Sequence, residues 1–253
     1  MFLIISRILN DDIKQRLQSL LNAGIDAYLI IDKELDKSTK RVIRYDNELM
    51  EKEGYLCANV QAPSQKEVYR ITGWDKALYH AFKSNKKYVW FCEDDIYWNR
   101  PAVVKAIVDK TESMKDDLIC TELAPSINET PKWFHWSKCQ QITSNKQKWM
   151  GTFNQLSRLS DRLLKKVDDY AKSHGNLLLH EALFATLAKL NNFKISYLTD
   201  LKLPIYIKIR WNPEFSAKDI EELLEENSYI LLHPVKSDEA RKAYSKEVKK
   251  DKN

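Results

Sequence analysis

Glycine is scarce in this sequence, with five residues among 253. No two of the five lie close enough to form the glycine-rich turn with which P-loop NTPases and dinucleotide-binding Rossmann domains hold phosphates. Those two classes are therefore excluded. A phosphate group bound by this protein must be neutralised by side chains or by a cation.

Paired cysteines and long apolar runs are lacking as well. The four cysteines show no CxxC spacing, and Cys92 and Cys120 lie inside apolar runs, so we expect core thiols in a reducing compartment, not a zinc site or disulfides. No stretch approaches the roughly 20 apolar residues of a membrane span, and the apolar start, Met1 to Leu9, is too short for a secretory signal. We expect a cytoplasmic protein without a transmembrane segment.

The net charge of +5 is modest, and much of it lies in the tail 237–253, where acidic and basic residues alternate. Such a tail is typical of a solvated helix or of weak peripheral contact with an anionic membrane surface. Beyond this charge, nothing indicates nucleic-acid binding, and we expect none.

The first third of the chain has the pattern of a βαβ unit. The apolar runs 2–5 and 27–31 flank a segment whose Ile13, Leu17 and Leu20 share one helical face, with Asn10 as its cap. Continuous apolar strands are typical of a parallel sheet covered on both faces. Later helices and strands predict an α/β domain over 1–240, with a mixed, mostly parallel sheet flanked by helices. We divide it into a nucleotide half, about 1–95, and an acceptor half, about 96–236.

Three consecutive carboxylates, Glu93, Asp94 and Asp95, follow the most strand-like run of the protein, Tyr88 to Cys92. Ligands of open α/β sheets bind at the carboxyl ends of the strands. Adjacent carboxylates repel one another unless a cation or solvent compensates their charge. The triplet therefore predicts a site for Mn²⁺ or Mg²⁺, in which the cation bridges to a diphosphate. The alternative is a solvated turn at the end of the strand.

His233 and Lys236 follow a second apolar run, Tyr229 to Leu232. An imidazole can bind Mn²⁺, and a lysine can neutralise a phosphate, so the pair could complete the site of the triplet. An imidazole ligand would favour Mn²⁺ over Mg²⁺. The alternative is a simple strand end before a charged tail.

His180 and Glu181 open a predicted helix. The pattern is not HExxH, because Phe184 stands where the second histidine would be, which excludes a zincin. Glu181 is a candidate general base for an acceptor hydroxyl. The alternative is a first-turn carboxylate that is favoured only by the helix dipole.

Polar residues at the ends of the first two strands lie on the same side of the predicted sheet as the triplet. Ser6, Arg7 and Asp32 are therefore candidates to contact a base, ribose or diphosphate. We place Asp75 in this set too, although its spacing from Thr72 fits a capping box.

Trp133 and Trp136 lie in a segment with little regular pattern. Exposed indoles bind the apolar faces of sugar rings, so these two, with His180, are candidate acceptor contacts. Packing in the core is the alternative.

Five features in chain order resemble GT-A glycosyltransferases: the first βα unit, WDKAL at 74–78, VWFCEDD at 89–95, HE at 180–181 and HPVK at 233–236. The resemblance spans nearly the whole chain. Within the family, the sequence is most similar to small soluble transferases of bacteria and large algal viruses that build surface glycans. It implies that the triplet takes the place of the DxD motif, with Asp95 as the main metal ligand and Glu93 or Asp94 helping. It also implies that His233 and Lys236 contact metal and diphosphate, and that the acidic base is Glu181.

The resulting expectation is metal-dependent transfer of a sugar, most simply from a UDP-sugar, to a hydroxyl of a glycan or glycolipid. We expect inversion, with Glu181 as base; in a retaining enzyme Glu181 would only orient the acceptor. The first triplet position is Glu, and HE is not a double-acid motif, so this sequence departs from the family at both places. The rivals are a metal-dependent nuclease or phosphotransferase and a carbohydrate-binding module without catalysis.

Overall fold

The structure is a computed structural model that describes residues 1–32, 39–60, 70–237 and 239–241. Ten strands are assigned: β1 Phe2–Ser6, β2 Ala27–Ile31, β3 Val42–Ile43, β4 Tyr88–Glu93, β5 Tyr97–Trp98, β6 Leu118–Ala124, β7 Gly151–Ser160, β8 Ile195–Tyr197, β9 Tyr206–Ile209 and β10 Ile230–His233. Eight α-helices accompany them: α1 Asp11–Asn22, α2 Asn47–Lys52, α3 Gly73–Lys83, α4 Pro101–Thr111, α5 Trp136–Ile142, α6 Asp161–His174, α7 His180–Leu190 and α8 Ala217–Glu226. Both counts refer to the described residues.

The larger sheet has seven strands in the order β3-β2-β1-β4-β7-β6-β8. Strand β7 is antiparallel to both of its neighbours, whereas the other adjacent pairs are parallel. This confirms the predicted α/β class with a mixed, mostly parallel central sheet. Within the sheet, Phe2 of β1 lies opposite Ala27 on one side and Trp90 on the other.

Helices cover both faces of this sheet because the side chains of a strand alternate between its two faces. Leu3 and Ile5 of β1 pack in a cluster with residues of α3, α6 and α7. Phe2 and Ile4, on the other face, pack with residues of α1 and α4. The predicted cap of α1 is confirmed, since the Asn10 side chain accepts a hydrogen bond from the Ile13 amide at 2.9 Å.

A smaller sheet follows the order β5-β10-β9, with β10 antiparallel to β5 and parallel to β9. Since β5 comes directly after the acidic triplet, this pairing brings the end of β10 beside the end of β4. His233 is the last residue of β10. The small sheet is therefore the element that joins the two parts of the predicted site.

Strand β7 has no counterpart in the sequence pattern described above. Its sequence carries buried polar residues, including Asn154, Gln155 and Arg158, which obscure a strand pattern. Arg158 donates to the carbonyl oxygens of Thr111, Met114 and Asp116, so its burial is compensated by distant backbone groups.

Among the described residues, no helix is long and apolar enough to cross a bilayer. The predicted charged tail, 237–253, lies outside the described residues except for 237 and 239–241. None of the four cysteines, which all lie in the described residues, is in a disulfide, and Cys92, Cys120 and Cys139 are buried.

Candidate functional site

A cleft of about 1300 Å³ opens where β1, β4 and β10 end. It is lined by residues of both predicted halves of the chain. Ten of the predicted site residues line it: Ser6, Arg7, Asp32, Glu93, Asp94, Asp95, His180, Glu181, His233 and Lys236.

Glu93, Asp95 and His233 form a compact group, in which one potential ligand atom from each residue lies within 4.8 Å of the others. His233 Nε2 is 3.2 Å from Asp95 Oδ1 and 3.6 Å from Glu93 Oε2. The backbone fixes this arrangement, since the Val235 amide donates to the Asp95 carbonyl at 2.9 Å. The three residues predicted as metal ligands are therefore brought together.

The backbone also orients the His233 ring. Its Nδ1 lies 3.0 Å from the carbonyl oxygen of Arg210 and donates a proton to it, because a carbonyl can only accept. Nε2 is thus the nitrogen that faces the carboxylates, and in the neutral ring it carries a lone pair. A histidine held through one nitrogen by a carbonyl, with the other nitrogen directed at a site, has the usual arrangement of a metal ligand.

The pKa values of His233 and Asp95 are shifted from their ordinary values. Burial lowers the pKa of His233, but Asp95 and Glu93 outweigh burial and raise that pKa to about 9. Burial alone would raise the pKa of Asp95, but His233 and Lys236 hold it below the ordinary value. Near neutral pH, His233 is therefore an imidazolium beside the Asp95 carboxylate, and a divalent cation bound here would replace its Nε2 proton.

The donor set fits a divalent cation. Asp95 Oδ1 is buried, and His233 Nε2 lies 3.2 Å from it. A buried carboxylate oxygen is costly unless its charge is compensated, which the imidazolium does here and which a divalent cation at the same position would do instead. Two carboxylates and one imidazole could hold a divalent cation, and they leave coordination positions for other oxygen ligands or water.

Asp94, the middle residue of the triplet, bonds elsewhere. Its Oδ2 accepts a hydrogen bond from Ser6 Oγ at 2.6 Å. Burial raises its pKa, although the Ser6 hydrogen bond opposes that shift. Asp94 and Ser6 both line the cleft, and their mutual hydrogen bond separates Asp94 from the three candidate metal ligands.

Arg16 is a site residue that was not predicted. It is only 6% exposed, and its guanidinium donates to the carbonyl oxygens of Asp94 and Ile96 while stacking 4.1 Å from the Trp98 ring centre. It therefore fixes the backbone on both sides of Asp95. The sequence did contain a signal, because Arg16 falls on the apolar stripe of α1 that includes Ile13 and Leu17.

Trp74 connects the triplet to the HE pair. Its Nε1 donates to Glu93 Oε1 at 2.6 Å, so the other Glu93 oxygen is the one that faces His233. The Trp74 ring stacks on the His180 ring, with centres 4.1 Å apart. Trp74 therefore holds one carboxylate oxygen of Glu93, and His233 lies beside the other.

His180, a predicted acceptor contact, lines the cleft and is also packed into its wall. It is 2% exposed, it stacks on Trp74, and its Nδ1 lies 2.9 Å from the Ala58 carbonyl oxygen. These contacts use one ring face and one nitrogen for packing. His180 thus supports the wall of the cleft and positions its neighbour Glu181.

Glu181 lines the cleft, although it is only 2% exposed. Burial raises its pKa to about 7, against the opposing effect of a hydrogen bond from Gln155 Nε2 at 2.8 Å. A carboxylate with a pKa near the working pH can both take up and release a proton efficiently. This is the property required of the predicted general base.

The predicted cationic and acidic residues of the donor end line the cleft, too. Lys236 is well exposed, and its Nζ is 3.9 Å from Asp95 Oδ2. Asp32 Oδ1 lies 3.6 Å from the buried Lys76 ammonium group, which also donates to the Asp32 carbonyl. Arg7 is exposed at the end of β1. These positions stay compatible with contacts to a nucleotide and its phosphates.

Asp75 must be corrected, because it does not line the cleft. It is fully buried and accepts hydrogen bonds from the Thr72 amide and hydroxyl and from the Ala58 amide. Burial raises its pKa to about 6, and these hydrogen bonds oppose the rise. It completes the capping box of α3 and holds the chain at Ala58, which leaves no access for a ligand.

The predicted tryptophan platform is corrected as well. Trp136 is 6% exposed, and Trp133 packs against it and over Gly151, where a Cβ would approach its ring to 2.5 Å. Both belong to a core cluster with Trp149, and neither lines the cleft. The tryptophan that does reach the cleft with an exposed ring is Trp211, which the sequence analysis did not single out.

Similarity to known proteins adds no assignment. Neither a protein-family model nor a curated protein sequence matches this chain. The cleft, its charges and the sheet that carries it are therefore the observations from which function is inferred.

Proposed function

We propose that this protein is a metal-dependent glycosyltransferase of the GT-A type, which moves a sugar from a nucleoside diphosphate sugar to a hydroxyl of a glycan or glycolipid. The observation that carries the proposal is the presence, in one cleft, of three side chains that could hold a cation and a separate carboxyl group whose pKa is raised to about 7. The mixed, mostly parallel sheet and the triplet at the carboxyl end of β4 support it.

The size of the cleft supports two substrates. Ordinary small-molecule pockets measure roughly 300–1000 Å³, and this one is about 1300 Å³. A nucleotide sugar and the reacting end of an acceptor fit into such a volume together. The first donor to test is a UDP-sugar.

Asp95, His233 and Glu93 would hold a divalent cation, preferably Mn²⁺, and a bound cation supplies positive charge to the diphosphate of the leaving group. Lys236, beside Asp95, would add a second positive charge at the phosphates. Ser6, Arg7, Asp32 and Asp94 line the same cleft and would contact the nucleotide.

Glu181 would take the proton of the acceptor hydroxyl. As that oxygen bonds to the anomeric carbon, the bond between this carbon and the phosphate oxygen breaks, and its electron pair leaves with the nucleoside diphosphate. This direct displacement inverts the anomeric configuration. Gln155 keeps the Glu181 carboxylate oriented through its 2.8 Å hydrogen bond.

The test is a screen of nucleotide sugars with Mn²⁺, by thermal shift and by transfer or hydrolysis, on the wild type and on Asp95→Asn. The wild type should be stabilised by its donor and should release nucleoside diphosphate, because a ligand that binds the native state raises stability. Asp95→Asn should lose both responses. Asp109→Asn, which changes an exposed carboxylate of α4, is the matched control and should keep them.

Two outcomes would contradict the proposal. One is undiminished metal-dependent turnover of a nucleotide sugar in Asp95→Asn. The other is a wild type that ignores all nucleotide sugars but cleaves DNA or RNA with Mg²⁺, which would favour the nuclease alternative.

A further inference from the structure

The seven tryptophans of the chain differ sharply in exposure. Trp74, Trp90, Trp98, Trp136 and Trp149 are each at most 6% exposed, and Trp133 is partly buried. Trp211 is 47% exposed and lines the cleft. A large apolar ring in contact with water forgoes the free energy of burial. Phe134 is exposed too, but of these two rings only Trp211 lines the cleft, where a ligand could cover it.

The Trp211 ring is held in place. With its amide oxygen turned toward the indole, the Asn212 side chain accepts a hydrogen bond from Trp211 Nε1 at 2.8 Å and donates to the Trp211 carbonyl at 3.2 Å. An indole whose polar edge is satisfied by its own neighbour presents its two faces without a further polar requirement.

The backbone before Trp211 is tied to the candidate metal centre. The Arg210 amide donates to the His233 carbonyl at 3.1 Å, and the Arg210 carbonyl accepts from His233 Nδ1 at 3.0 Å. The Arg210 guanidinium also stacks on Phe215, 3.7 Å from the ring centre. Since neighbouring Cα atoms are about 3.8 Å apart, Trp211 begins one residue from the group that orients His233.

We propose that the exposed face of Trp211 stacks on the apolar face of a sugar ring in the cleft. This inference rests on the proposed function. The C–H groups on one face of a pyranose are apolar, and a fixed indole binds such a face without restricting the hydroxyl groups at the ring edge. The ring belongs either to the acceptor or to the sugar being transferred, and both have the same chemistry.

The experiment compares the full-length wild type with Trp211→Ala and Trp211→Phe. The control is Phe134→Ala, which removes an aromatic ring that is 55% exposed but does not line the cleft. Four quantities are measured: the KM for acceptor, the KM for nucleotide sugar, the Kd of the free nucleotide with Mn²⁺, and the Kd of the acceptor glycan without nucleotide.

We expect Trp211→Ala to raise one of the two KM values about tenfold, equivalent to about 1.4 kcal/mol. Trp211→Phe should recover most of the loss, and Phe134→Ala should behave as wild type. A higher acceptor KM identifies the acceptor ring. A higher nucleotide-sugar KM with an unchanged Kd of the free nucleotide identifies the transferred sugar.

Two results would overturn the inference. In the first, Trp211→Ala leaves both KM values unchanged. In the second, Trp211→Ala weakens the binding of the free nucleotide as strongly as that of the nucleotide sugar, which would mean that the indole stacks on the base.

Glycan binding without nucleotide separates this inference from the proposed function. If the wild type transfers no sugar but binds a glycan through Trp211, the proposed function fails and the inference stands. If transfer is robust and indifferent to Trp211, the inference fails and the function stands. A wild type that neither transfers sugar nor binds a glycan contradicts both.

Discussion

Asp95 and Glu181 are two largely buried carboxyl groups that line the same cleft, yet their pKa values are shifted in opposite directions. Burial by itself would raise the pKa of both groups. At Asp95, His233 and Lys236 outweigh burial and keep the carboxylate ionised. At Glu181, the hydrogen-bond partner is the neutral amide of Gln155, so burial prevails. The charge of the neighbour thus separates a ligand for a cation from a base that works near pH 7.

The largest effect is expected when the base is removed. Glu181→Gln should lower the rate of transfer by about a hundredfold or more, because a general base contributes that much. Donor and Mn²⁺ binding should persist, since Glu181 is not one of the candidate ligands. Single-turnover kinetics and calorimetry with Mn²⁺ and donor measure the two parts separately.

Stability provides the control for Glu181→Gln. A carboxyl group whose pKa is higher in the folded than in the unfolded state destabilises the fold at high pH and not at low pH. At pH 8, Glu181→Gln should therefore raise the free energy of unfolding by about 1–3 kcal/mol, and this gain should vanish as the pH falls from about 7 toward the ordinary carboxyl range. Loss of both stability and activity would instead mean that Glu181 has a structural role.

The metal side should respond to pH through His233. Its raised pKa, about 9, means that a cation must displace a proton from Nε2. The apparent affinity for Mn²⁺ should therefore rise about tenfold per pH unit between pH 6.5 and 8.5, since one proton is exchanged. Titration calorimetry at several pH values measures this slope.

Two variants test whether the slope belongs to His233. His233→Gln should bind Mn²⁺ weakly and with a flatter pH dependence, whereas Glu181→Gln should keep the slope of the wild type. An equal slope in His233→Gln would assign the displaced proton to another group, and the contrast between the two carboxyl groups would lose its physical basis.

The sequence predicted much of the fold because its signals are local. The apolar runs of β1, β2 and β4 and the Asn10 cap specify a parallel α/β sheet from nearby residues alone. Strand β7 escaped prediction because its buried polar side chains are satisfied only by residues distant in the chain, as Arg158 shows.

The site was predictable in part for a similar reason. The triplet could be predicted as one unit, but β4 ends at Glu93, so the separation of Asp94 from Glu93 and Asp95 depends on the turn that follows and not on strand alternation. The tryptophans were not predictable in this way, because the exposure of an indole depends on tertiary packing. Trp133 and Trp136 meet Trp149 and Gly151, whereas Trp211 meets its own neighbour, Asn212.

Substitution of Arg16 should have a smaller effect, which is confined to metal binding. Arg16→Lys keeps the charge but cannot donate to the Asp94 and Ile96 carbonyls with the same fork geometry. Loss of about one hydrogen bond should weaken Mn²⁺ binding by about fivefold. The pH midpoint of transfer, set by Glu181, should not move. A shifted midpoint with unchanged Mn²⁺ affinity would contradict this positioning role.

The smallest effect concerns Gln155, the partner of the base. Its Nε2 stabilises the Glu181 carboxylate, while its Oε1 is buried without a hydrogen-bond partner in the described part of the chain. Gln155→Met removes both groups at similar volume, so stability should change little. Without the donor, the pKa of Glu181 should rise, moving the midpoint of the pH–rate profile upward by about half a unit. The rate at pH 6 should then fall roughly threefold, whereas the plateau at high pH should remain. A midpoint that stays in place or moves down would show that burial alone sets this pKa, and the partner would no longer explain why Glu181 differs from Asp95.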